Sequence, residues 1–162
     1  MKTGPVILVL VLSAGCGSFL SRSGPSDPGY RKGYLGMLSA EQIQDLRFAW
    51  HGAVGGVASI ARFRTDQSGI ERIRLATQRH EVYEPDIDVT SEEPRVPSSE
   101  LRQRFRMATP GDELPPWFDF PFDKSLPVYI NRGDAHDGAP AYSHEYYVDK
   151  ETGIVYFLMI KG

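Results

Sequence analysis

The stretch YSHEYYVDKETGIVYFLMI, residues 142–160, divides at 149–153 (DKETG) into two strand-like runs. Gly153 stands where a short hairpin loop needs a positive φ. In the first run Tyr142, His144, Tyr146 and Val148 share one face, and Ser143, Glu145, Tyr147 and Asp149 share the other. The second run, 154–160 (IVYFLMI), is apolar on both faces. A strand of that kind belongs in the middle of a sheet with both faces covered.

Working outward, 126–132 (LPVYINR) reads as a third strand, with Pro127 near its start. Further upstream, Leu46, Phe48 and Trp50 alternate with Arg47, Ala49 and His51, which predicts a strand. A helix running to Trp50 fits as well, since Ile43, Leu46 and Trp50 share a helical face. Gly52, Gly55 and Gly56 then mark a turn, and 57–64 (VASIARFR) returns as a strand. Ser39 and Gln42 have the form of a capping box on a brief helix. Asp66 or Ser68 caps a helix over 69–79, with Ile70, Ile73 and Ala76 turned inward.

Residues 84–127 hold eight of the twelve prolines, so this zone is not central strand. Pro97 and Ser98 open a helix that carries Leu101 and Phe105 on one face. A loop this long needs fastening, and Trp117, Phe118, Phe120 and Phe122 are the side chains to pack it over the core. The expected fold is one α+β domain, 34–162. It has a mainly antiparallel sheet of about five strands, a helix on one face and the Pro/aromatic-rich segment over the other.

The N-terminus has a different character. Lys2, the apolar run 6–12 and the small residues that follow make a secretory signal peptide, too short for a membrane span. The stretch Leu12-Ser13-Ala14-Gly15-Cys16 resembles the lipobox of bacterial lipoproteins, with Ser13 standing where Leu is commonest. That resemblance implies removal of 1–15 and a diacylglyceryl-modified Cys16, often acylated again at its new amino group. Two or three acyl chains hold a protein firmly to a bilayer where one binds only marginally. Residues 17–33 (GSFLSRSGPSDPGYRKG) then read, with Cys16, as a flexible tether. The implied location is the cell envelope, lipid-anchored through Cys16, with an envelope protein or glycan as partner.

Composition limits what the domain does. Cys16 is the only cysteine, so no disulfide closes within the chain and packing alone holds the fold. The formal charge of −3 becomes −4 once 1–15 depart with one lysine and no acid, and no run of basic residues suggests nucleic acid as a partner. No phosphate-cradle or dinucleotide fingerprint is present, and no cofactor is expected.

Candidate chemistry gathers in two places. Asp134, His136, Asp137, His144 and Glu145 offer metal-ligand types, and a hydrolase would use Asp134, His136 and His144. Their spacing opposes it. His136 and Asp137 sit in turn composition, while adjacent His144 and Glu145 point to opposite faces of one strand. His51 reads as a polar-face strand residue, and no serine lies in G-x-S-x-G. The aromatics make the stronger case: exposed, Trp117, Phe118 and Tyr142 would stack on a sugar or a peptide; buried, they are core. A non-catalytic binding or structural domain follows, with the metal-assisted hydrolase and the Trp117 carbohydrate or peptide module as alternatives.

Overall fold

A computed structural model describes residues 20–25, 28–53, 56–84, 98–134 and 141–162. Cys16, His136 and Asp137 lie outside them. Seven strands form one sheet: β1 (Leu20–Pro25), β2 (Gln44–Ala53), β3 (Gly56–Arg64), β4 (Arg79–Tyr83), β5 (Leu126–Gly133), β6 (Tyr142–Asp149) and β7 (Ile154–Lys161). Their order is β1-β2-β3-β7-β6-β5-β4, and every neighbouring pair is antiparallel. The doubly apolar run is β7, at the centre, as its pattern requires. Gly153 closes the β6–β7 hairpin at φ 70, its N–H donating to the Asp149 carbonyl at 2.9 Å.

Among the described residues three helices cover the sheet: α1 (Pro28–Tyr34), α2 (Gln67–Ala76) and α3 (Ser98–Met107). One face packs Phe48, Phe63, Tyr146 and Phe157 against α1 and α2, with Tyr30, Ile70 and Ile73 buried there. The other packs Ile60, Tyr147, Tyr156 and Leu158 against α3 and the aromatic segment. Phe105 is fully buried among Phe118, Phe120 and Tyr147, with ring centroids 4.9, 5.0 and 5.6 Å away. The α+β class and the two covering layers match the expectation.

Local signals hold too. Asp66 caps α2 by accepting from the Gly69 N–H at 2.8 Å. The Ser39 N–H donates to Gln42 Oε1 at 3.1 Å over a single 3-10 turn, Ala40–Gln42. Among the described residues no helix is long and apolar enough to cross a membrane.

Two strands exceed the expected five, and both are edges. β4 is short and mostly polar on its accessible positions. β1 falls within the segment read as a tether: it pairs with β2 from Leu20↔Gly52 to Pro25↔Arg47. Its composition gave no alternation to read, because an edge strand gains order from its neighbour's backbone and tolerates a terminal proline. α1 likewise carries two glycines and has little intrinsic helicity. It is held by Tyr30, whose ring stacks on Phe48 at 4.4 Å and whose hydroxyl meets Ser59 Oγ at 2.8 Å. The ordered domain therefore takes in Leu20, fourteen residues ahead of Tyr34.

Candidate functional site

The side chains read as a ligand platform do not form one surface. Phe118 is buried, edge-on to Tyr156 at 5.6 Å. Tyr142 starts β6 and lies across Gly133 of β5, where a side chain on residue 133 would collide with its ring. It packs where glycine leaves a gap in the sheet. Trp117 is half-buried at the far end: β3 runs from Val57, two ladder steps from Tyr142 through Lys161, to Arg64 opposite Ile154. Trp117 lines an open pocket.

The polar candidates separate as their strand positions predict. His144 turns toward Tyr142 and Phe157. Burial, helped by the charge of Lys161, holds its pKa below the usual imidazole value. Glu145 points the other way and is 1% exposed. Its Oε1 accepts from Arg104 Nη2 at 2.6 Å, Ser143 Oγ at 2.8 Å and Arg132 Nη2 at 3.2 Å; its Oε2 accepts from the Tyr147 hydroxyl at 2.7 Å. Burial raises a carboxyl pKa, but Arg104, Tyr147 and Ser143 together outweigh it and leave Glu145 below its ordinary value. A carboxylate with both oxygens committed is no proton shuttle. Among the described residues no three His, Cys, Asp or Glu side chains are grouped to hold a metal.

A different set of residues converges under Trp117. Arg31 of α1, Asp45 and Arg47 of β2, Arg62 and Arg64 of β3, and Pro116, Trp117 and Asp119 of the aromatic segment line a pocket of about 660 Å³. Its geometry starts at a β-bulge. Gln44 pairs with Arg64 and Arg47 with Arg62, so three steps of β2 oppose two of β3. Asp45 takes up the extra residue at φ 52, in the left-handed region that aspartate tolerates better than most. Past the bulge, ordinary alternation turns Leu46 into the core beside α1 and Arg47 to the opposite face.

No protein-family model, curated protein or solved structure matches the chain. The pocket is read from its own chemistry.

Arg47 stands directly across the ladder from Arg62, a like-charge pair that costs a sheet stability. Arg62 is compensated: its Nε donates to Asp119 Oδ1 at 2.7 Å. The Tyr156 hydroxyl reinforces that carboxylate at 3.2 Å, and burial together with Asp119 pushes its pKa up to about 12, so it remains a donor. Arg31, Arg47 and Arg64 make no side-chain hydrogen bond or ion pair among the described residues, and the Arg31 Nε is buried without a partner. Four guanidinium groups therefore face two carboxylates, one of which is already bound to Arg62.

Sequence reading missed this cluster because its members come from three separate elements. Arg31 lay in the supposed tether, and Arg47 and Arg62 become neighbours only through the register of the β2–β3 hairpin. A mildly acidic chain thus carries a locally basic pocket. The alternation of Arg62 and Arg64 along one strand face was the available signal, though nothing in it located Trp117 above them.

Proposed function

We propose that this is a lipid-anchored lipoprotein of the bacterial envelope whose domain binds a ligand rather than catalysing a reaction, with the Trp117 pocket as its recognition surface. The carrying observation is the set of arginines without partners among the described residues, beside a half-buried tryptophan. The anchor rests on the charged start, the apolar run and the lipobox-like residues before Cys16.

β1 gives the anchor a geometric consequence. Only three residues separate Cys16 from Leu20, and four extended steps reach about 14 Å at most. Leu20 stands at the end of the sheet marked by Gly52, Val57, Lys161 and Tyr142. The pocket is at the other end, one β1 length or about 17 Å away. With Cys16 acylated, the domain sits close on the bilayer and the pocket opens away from it.

Mass spectrometry of the N-terminal peptide from membranes tests the anchor. The expected product begins at Cys16 and carries diacylglycerol, while Cys16→Ser accumulates as an uncleaved precursor. A soluble, unmodified wild-type chain would overturn it.

A further inference from the structure

We infer that the Trp117 pocket binds an anionic saccharide, its phosphate or carboxylate held by Arg31, Arg47 and Arg64 and its ring laid on Trp117. This deepens the binding reading above and rests on it. Arginine suits the task because its planar fork donates two parallel hydrogen bonds to either anion and never loses its charge. The present arrangement is costly without such a guest. Two arginines face each other across β2 and β3, only one has a carboxylate, and a third buries its Nε unpaired. Buried polar atoms are nearly always satisfied and the Arg31 Nε is not, so the protein supplies this cation no acceptor at that atom.

The contrast with a second pocket sharpens the assignment. That one, about 370 Å³ beside α3, is also lined by arginines. There Arg102 lies over the Phe122 ring at 3.8 Å and the Arg106 Nε donates to the Asp112 carbonyl at 2.7 Å. Its cations are occupied by the protein itself. Beneath Trp117, Arg62 is held by Asp119 but Arg31, Arg47 and Arg64 are not held by any described residue.

Trp117 decides the ligand's other half. Its neighbours Phe118 and Phe120 are buried, whereas Trp117 is half-buried, with Pro116 exposed beside it in the pocket lining. A flat apolar ring next to guanidinium groups matches a sugar's C–H face with an acid attached. Phosphate and carboxylate share this chemistry and are separated by experiment.

The full chain in nonionic detergent is titrated with N-acetylglucosamine 6-phosphate, glucuronate, inorganic phosphate and N-acetylglucosamine, followed by calorimetry and tryptophan fluorescence. One of the two acidic sugars should bind saturably at one site, about tenfold or more tighter than inorganic phosphate or the neutral sugar. Arg47→Ala and Arg64→Ala, exposed positions without partners among the described residues, should each weaken it about ten- to hundredfold with no loss of melting temperature. Trp117→Ala should erase the advantage over inorganic phosphate and leave inorganic phosphate itself unaffected. Absence of saturable binding by either acidic sugar up to ~10 mM, or binding indifferent to Arg47 and Arg64, overturns the site. Inorganic phosphate binding as tightly as the sugars removes the saccharide. Tighter binding of sn-glycerol 3-phosphate, the soluble headgroup fragment, than of either sugar would assign a lipid headgroup instead. None of these readings depends on acylation, so loss of the anchor reading and loss of the ligand reading remain separate results.

Discussion

Glu145→Ala is expected to be among the most destabilising single changes in the domain. The carboxylate is 1% exposed and its main partner, Arg104, has a side chain only 18% exposed. Removing one partner of a buried pair costs about 3–5 kcal/mol, because the other charge stays behind without compensation. Arg132 adds little to that figure, being half in solvent, whereas the Tyr147 hydroxyl loses its acceptor in a buried setting. A domain of this size shifts by roughly 3–5 °C per kcal/mol, which places the variant about 10–20 °C below wild type. Urea titration at pH 7 followed by circular dichroism is the assay, with the m-value checked for constancy. The pH dependence gives an independent sign. Glu145 has a folded pKa below its ordinary 4.5, so the unfolded chain binds the proton more readily. Its contribution is complete above that value and is lost as pH falls through the lower folded pKa. Wild type should therefore lose stability below pH 4.5 along a steeper slope than Glu145→Gln. A Glu145→Ala cost under about 1 kcal/mol would refute the reasoning, since that is the range of exposed pairs.

Three further outcomes test other parts of the fold. Tyr30→Phe should cost about 1 kcal/mol for the lost contact with Ser59, and Tyr30→Ala about 3–5 kcal/mol; a neutral Tyr30→Ala in urea titration would detach α1 from the core. Gly153→Ala forces an alanine to φ 70 with its Cβ 2.6 Å from the Thr65 carbonyl oxygen, so a loss of about 2 kcal/mol or more is expected in melting curves. His144 is held neutral, so the folded state loses stability as pH drops below the unfolded imidazole value of 6.5. His144→Phe should flatten that slope, and parallel slopes in denaturation between pH 7 and 5 would contradict its burial.

The centre of the molecule was legible in sequence and its margins were not. Ile154 to Ile160 announced a central strand because burial on both faces leaves no room for polar residues, and Gly153 announced its turn because the backbone there needs a positive φ. Asp66 and Ser39 were readable for the same reason: a helix start has a local chemical requirement. β1 and α1 have none. Leu20 to Pro25 is ordered by the β2 backbone, which asks nothing of side chains, and α1 is fixed by one tyrosine reaching Ser59 across twenty-nine residues. Candidate sites divided in the same way. The opposition of His144 and Glu145 follows from strand parity, while the convergence of Arg31, Arg47 and Arg64 depends on the hairpin register and on where α1 packs.

The bulge bears on function through Asp45. The pairs from Arg47↔Arg62 to Ala53↔Gly56 keep one regular register, so the hairpin fixes the like-charged pair, and ordinary alternation turns Arg47 away from Leu46. The bulge adds one residue beyond them, between Gln44 and Arg47, and costs the ladder a paired residue. Ile43 and Leu46 enter the same core although three positions separate them. Deleting Asp45 would restore regular pairing with Gln44 still opposite Arg64, so both flanking segments keep their faces. It would also remove one of the two carboxylates that line the pocket. The expected variant is as stable as wild type in urea titration and binds the acidic sugar at least as tightly, because the anion then meets less like charge. Weaker acidic-sugar binding in a stable Asp45 deletion would show that the bulge itself shapes the site.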